Sequence, residues 1–180
     1  MFKDLKKPYL ISEIGINHNG DINIAKKLID ATNATGWDCA KFQKRNPDVC
    51  VPEHQKDVMR ETPWGTMKYI DYKYKVEFEK KEYDIINDQC KDKGLDWSAS
   101  VWDYDSLDFL LNNYKDVPFI KIPSAINGSY DFLEDACKTN IPILVSLGMA
   151  ELEECDKIVN LLNKYSSDFC VMHTNSAYPA

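Results

Sequence analysis

The sequence predicts an α/β protein of the (β/α)8 TIM-barrel type, with about six βα units present in the chain. Three observations carry that expectation. Short apolar runs alternate with segments of helical period. Most of the runs recur at intervals of about 25 residues. Each run also ends in polar side chains that the packing of an apolar strand does not need. An open doubly wound sheet suits the same alternation. The polar strand ends favour the barrel, whose chemistry gathers on the loops after the carboxyl ends of its strands.

Strands are predicted at Tyr9–Ile16, Cys39–Gln43, Trp97–Val101, Phe119–Pro123, Ile143–Leu147 and Phe169–Thr174. Between them, Ala25, Leu28, Ile29 and Thr32 fall at i, i+3, i+4, i+7, as do Leu107, Leu110, Leu111 and Tyr114, and Cys155, Ile158, Val159 and Leu162. Each set is one buried helix face. Asp21 is placed to cap the first helix. Gly36 stops it, Gly94 stops a charged helix expected over about Val76–Lys93, and Asn140 before Pro142 stops a later one. Lys44–Tyr74 separates the second and third strands as a long insertion holding Pro47, Pro52, Pro63 and Trp64. A long βα loop of this kind is more often functional than slack.

Composition bounds the function. The chain has 180 residues, 44% of them apolar and 12% aromatic, enough for a packed core in one domain. A formal charge of -7 leaves no electropositive surface for a phosphate backbone, so nucleic acid is not an expected partner. No apolar run is long enough to cross a bilayer and the start lacks the apolar stretch of a signal peptide, so a cytoplasmic protein is expected. The cysteines Cys39, Cys50, Cys90, Cys137, Cys155 and Cys170 are scattered with no CxxC pair, and reduced structural thiols are the expected reading.

The chemistry is expected at the strand ends. Glu13 stands on the first strand, Lys41 and Gln43 on the second, and Ser98 and Ser100 on the third. Lys121 and Ser124 end the fourth and Ser146 the fifth, and His173, Asn175, Ser176 and Tyr178 follow the sixth. A charge inside a strand is costly unless it meets a partner. Glu13, Lys41 and Lys121 should therefore meet one another or a charged ligand, and two lysines with several hydroxyls describe a site for phosphate or carboxylate. The same three residues also suit an internal salt-bridge network. A lone strand serine is commonly a satisfied hydroxyl, and His173 reads first as a hydrogen-bonded core residue. His18 with Asn19-Gly20 reads as a turn. GxGxxG and P-loop fingerprints are absent, as are HxH and HExxH metal motifs.

Taken in order, SEIGINHNGD, KFQ, KIPSA, SLGMA and HTNSAYP resemble the successive strand-end motifs of the sialic acid synthase family. The resemblance runs along essentially the whole chain. It implies a (β/α)8 barrel that condenses phosphoenolpyruvate with an N-acetylated hexosamine, typically N-acetylmannosamine, giving a nine-carbon 2-keto acid and phosphate. Pseudaminic and legionaminic acid synthases look alike at these motifs. Carried over by position, Glu13 serves proton transfer, Lys41 faces phosphoenolpyruvate and Gln43 faces the sugar. Ser100 stands where many members have Thr, and Lys121 and Ser146 meet the phosphate. Tyr178 lies beside the sugar, with Ser176 where an Asn often precedes it.

The resemblance also implies differences. Ile126 stands where many members carry a carboxylate that contacts the sugar. Members continue through two more strands, with histidines resembling ligands of Mn2+ or Mg2+, and an antifreeze-like domain; their full-length forms resemble homodimers. Residues 1–180 are accordingly expected to be a partial barrel, inactive alone, whose metal ligands lie mostly beyond residue 180. Another phosphoenolpyruvate-dependent synthase, acting on a phosphorylated aldose, is the rival enzyme. It would be favoured by a second anion subsite of Arg and Lys, and Arg45 and Arg60 are the only arginines. A non-catalytic fragment that assembles with a partner is the rival from another class.

Overall fold

Strand and helix alternate as the apolar pattern requires, in a computed structural model that describes residues 1–166 and 168–177. Two compact units are present, one of Leu10–Trp97 and the other of Met1–Tyr9 with Ser98–Ala180.

In the first unit, β1 (Ile11–Gly15) leads to α1 (Ile22–Ala34) and β2 (Cys39–Lys44). β1 and β2 pair in parallel, with Glu13 opposite Lys41. The Asp21 carboxylate accepts from the Asn23 N–H at 2.7 Å and so begins α1. Ala25, Ile29 and Thr32 form the buried face, as their spacing predicts. The insertion is built rather than slack. It holds α2 (Pro47–Cys50), α3 (Glu53–Lys56), an antiparallel hairpin of β3 (Met59–Thr62) and β4 (Gly65–Lys68), and α4 (Tyr69–Val76).

The helix expected over about Val76–Lys93 is present as α5 (Lys80–Lys93) but starts four residues later, after α4 has ended at Val76. The interruption has a cause. Glu77 turns its carboxylate inward to accept from the Arg45 backbone N–H and Nε, both at 3.0 Å, while Phe78 is buried. The backbone is extended at Glu77 and Glu79, and a reciprocal capping box of Glu79 and Glu82 starts α5. Gly94 closes α5 at φ +62. Tyr83, fully buried, donates from its hydroxyl to the Gln43 carbonyl at 2.7 Å and anchors α5 on β2.

β5 (Asp96–Val101) starts in the first unit and continues into the second. There follow α6 (Tyr104–Asn113), β6 (Ile120–Ile122), α7 (Tyr130–Lys138), β7 (Ile143–Ser146), α8 (Leu152–Tyr165) and β8 (Phe169–Met172). β5 pairs with β6, β6 with β7 and β7 with β8, always in parallel. Phe119, Ile120, Ile122, Leu133, Ile143, Val145, Ile158 and Leu162 are fully buried and form the core of this unit. The N-terminal residues pack here too. Met1 pairs its ammonium with Asp168, and the Phe2 and Tyr9 rings lie 5.8 and 6.4 Å from the Phe119 ring.

Candidate functional site at the strand ends

The predicted site residues fall into two groups, one in each unit. On β1 and β2, Lys41 is buried to 5% exposure and ion-paired with Glu13, whose side chain keeps 57%. This is the pairing that a strand-interior lysine requires, since a buried ammonium without a counter-charge would be costly. Gly15, at φ +55, makes room for the group. A Cβ there would lie 3.3 Å from Glu13 Oε1 and 3.4 Å from Gln43 Nε2, so the acid and the amide reach into the same space.

Next to them, His18 is buried and stacked on Phe78 with ring centres 3.9 Å apart. Its Nδ1 accepts from the Gly20 N–H at 3.1 Å. Burial pushes its pKa down to about 4, against a hydrogen bond to the Gly15 backbone, so the ring is neutral at neutral pH. Beyond Gln43, Lys44 donates to the Phe78 carbonyl at 2.7 Å, and Arg45 is paired with Glu77. Burial pushes the Glu77 carboxyl up against the pull of Arg45 and Lys44.

In the second unit, Ser100 on β5 stands opposite Lys121 on β6, and both are buried. The Lys121 ammonium donates to the Ser146 hydroxyl at 2.6 Å and to the Ile122 carbonyl at 3.1 Å. Asn127 holds the turn after β7, donating from Nδ2 to the carbonyls of Ser146 and Gly148 at 3.1 and 3.3 Å. The Gly148 N–H donates to the Ser124 hydroxyl at 3.2 Å. A Cβ on Gly148 would lie 2.7 Å from Ser124 Oγ and would collide with Ser176 Oγ, so glycine lets the turn close on both hydroxyls. Lys121, Ser124, Ser146 and Ser176 thus belong to one cluster of a cation and hydroxyls, and a group of that kind suits a phosphate or carboxylate.

Some residues lie elsewhere. Tyr178 falls outside the described residues. His173 is exposed after β8 rather than part of the core, because β8 is only partly covered along its length. Asn127 and Glu77 were missed by the sequence reading, because their partners lie about 20 to 30 residues away. Among the described residues no group of three or more His, Cys, Asp or Glu side chains could hold a metal ion. The divalent ion implied by the resemblance therefore finds no ligand set among them. No helix among the described residues is long and apolar enough to cross a membrane.

Parallel strands alternating with helices, with polar groups at the strand ends, define a (β/α)8-barrel-type fold that carries a buried lysine among hydroxyls at its strand ends. Consistent with that class, the chain is similar to the crystal structure of an N-acetylneuraminic acid (sialic acid) synthetase from Leptospira borgpetersenii serovar Hardjo-bovis. The TM-score is 0.83 at 26% identity, over 96% of this chain and 55% of that one. It is 33% identical to the N-acetylneuraminate-9-phosphate synthase of Drosophila melanogaster, over 95% of this chain and 46% of the relative. It is 29% identical to the N,N'-diacetyllegionaminic acid synthase of Legionella pneumophila, over 96% of this chain and 50% of the relative. The NeuB family model matches residues 28–180, and the chain belongs to this family. The chain spans about half the length of the curated relatives it matches.

Proposed function

We propose that the chain carries the phosphoenolpyruvate-binding part of an enzyme that condenses phosphoenolpyruvate with an N-acetylated hexosamine, N-acetylmannosamine or a close relative. The observation that carries the reading is the buried Lys121 ammonium donating to the Ser146 hydroxyl at the ends of adjacent strands. In the proposed reaction the methylene carbon of phosphoenolpyruvate bonds to the aldehyde carbon of the open sugar, whose oxygen takes a proton. Water adds at the former enol position and phosphate leaves, so a nine-carbon 2-keto acid and inorganic phosphate result. Lys121 and Ser146, with Ser100 beside them, offset the phosphate charge. Glu13 moves the proton, and its carboxylate, paired with Lys41 yet exposed, is within reach of a substrate. By the resemblance, Gln43 and Tyr178 face the sugar.

The relatives' names divide on whether the product carries a phosphate at C9. The test is direct. Phosphate release from phosphoenolpyruvate is measured with N-acetylmannosamine and Mn2+, for the chain alone and for a protein that joins it to the C-terminal half of a relative. Release that depends on the sugar and is lost in Lys121→Met supports the reading. Release that is indifferent to Lys121 overturns it.

A further inference from the structure

The turn after β7 is held by the amide of Asn127. This residue follows a short 3-10 turn of Ser124–Ile126 and is buried to 9% exposure. Its Nδ2 donates to the carbonyls of Ser146 and Gly148, on either side of Leu147. Two carbonyl oxygens around one end of an amide fix that end as the NH2 group, which donates twice. Backbone N–H groups of the turn are engaged as well. The Leu147 N–H donates to the Met172 carbonyl at 3.0 Å, and the Gly148 N–H to the Ser124 hydroxyl.

These bonds decide which way the backbone dipoles of the turn point. A carbonyl oxygen turned toward an anion repels it, whereas an N–H or hydroxyl hydrogen attracts it. Asn127 takes up two carbonyl oxygens of the turn. One of them belongs to Ser146, whose hydroxyl accepts from the Lys121 ammonium at 2.6 Å. The two oxygens of Ser146 are therefore fixed together, the carbonyl by the amide and the hydroxyl by the cation. Strain marks the same turn. Met149 stands at φ +66 with 71% of its surface exposed, a left-handed conformation that an ordinary side chain keeps only when its surroundings impose it. The grip of Asn127 on the residues just before it supplies that constraint.

We propose that Asn127 is a positioning residue of the lysine and hydroxyl cluster, drawing the Ser146 and Gly148 carbonyls away from the anion and holding the Ser146 hydroxyl beside Lys121 for a phosphate to meet. In this role Asn127 touches no substrate and acts through Ser146 and its turn. Losing the amide frees two carbonyl oxygens to swing toward the anion and lets Met149 leave its strained conformation. The naming of phosphoenolpyruvate as the anion rests on the function proposed above, whereas the coupling of Asn127 to Ser146 is separable from it.

The test is calorimetric titration of the full chain with phosphoenolpyruvate and with inorganic phosphate, for Asn127→Ala, Ser146→Ala and the two together. Each single change is expected to weaken binding about ten-fold, the scale of a hydrogen bond to a charged group. The double variant should bind within about two-fold of Ser146→Ala, because a residue that acts through Ser146 then has nothing left to position. Thermal melts separate this from a packing role. Ser146→Ala keeps the carbonyl that Asn127 binds, so the stability lost in Asn127→Ala should be the same in both backgrounds. Asn127→Asp keeps the size of the side chain and carries the test if the alanine variant does not fold. Ionised, it has no hydrogen to donate, and its affinity relative to the wild type should recover as the pH falls into the carboxylate range and the acid gains one. Unchanged affinity in Asn127→Ala and Asn127→Asp overturns the proposal, as does a double variant that shows the full product of the two single losses. Coupling seen with inorganic phosphate, without phosphoenolpyruvate binding, would remove the condensing function and leave the positioning role standing. Phosphoenolpyruvate binding that needs Lys121 and is indifferent to Asn127 would remove the positioning role alone. Binding of neither anion to the wild-type chain overturns both.

Discussion

The Lys121 ammonium and the Ser146 hydroxyl meet at 2.6 Å across adjacent parallel strands, with the carbonyl of Ser146 held in turn by Asn127. A buried lysine whose ammonium points at a hydroxyl on the neighbouring strand end keeps a cation directed at the place an anion would enter. Lys121→Met should weaken phosphoenolpyruvate binding by about 1.5 to 3 kcal/mol, the worth of a hydrogen bond to a charged group. Titration checks it, and unchanged affinity would remove this lysine from the site.

Glu13 is expected to act on the chemical step. Glu13→Gln keeps the shape and removes the ionisable group, so turnover should fall by about 10² to 10⁴ while phosphoenolpyruvate affinity stays within a few-fold. Single-turnover measurement separates the two. Near-normal turnover would leave Glu13 as the counter-ion of Lys41 and nothing more.

Gly20 sits at φ +69, where an added Cβ would collide with the Lys75 carbonyl oxygen. Gly36 has φ +76 with open space around it. Gly36→Ala should therefore cost only the left-handed backbone penalty of about 1 to 2 kcal/mol. Gly20→Ala should cost more, because a backbone carbonyl cannot step aside as a side chain does. Denaturant unfolding of the pair measures the difference, and equal losses would contradict the close approach of the loop before α1 to the end of α4.

His18 makes a pH prediction whose sign is fixed by its lowered pKa of about 4. Between that value and the ordinary 6.5, the unfolded chain binds a proton that the folded chain refuses, so stability falls as the pH drops through this window. The contribution, fully present above about pH 6.5, is on the order of 2 to 3 kcal/mol. His18→Gln should flatten the wild-type loss between pH 6.5 and 4, measured as the difference between the two unfolding profiles. Parallel profiles would show that the ring titrates normally.

The strands were legible because each is a short apolar run bounded by turn residues, and Lys41 and Lys121 were legible because a lysine in such a run demands a partner. That Lys41 meets Glu13 follows from the register of two parallel strands, which the apolar pattern constrains. The break between α4 and α5 was not legible: Val76 and the residues after it keep a helical pattern, and only the long-range pull of Arg45 on Glu77 unwinds them. The hairpin had a signal that went unread. Thr62-Pro63-Trp64-Gly65 is a turn, with Thr62 and Gly65 paired across it and alternating residues on either side. The stacking of His18 on Phe78 has no local signature at all, since it joins a turn to a segment about 60 residues later.

The six cysteines are all thiols, and their reactivity is graded by depth. Burial pushes Cys90 up to about 12 and Cys137 up to about 11. At neutral pH the thiolate that attacks electrophiles or peroxide is therefore a fraction of about 10⁻⁴ or less at those two positions. Alkylating reagents and mild oxidants would meet the half-buried Cys50 and Cys155 long before they touched the interior. A label placed at neutral pH would accordingly report on the periphery of the molecule. Modification of Cys90 or Cys137 would be a clock for opening of the core around them.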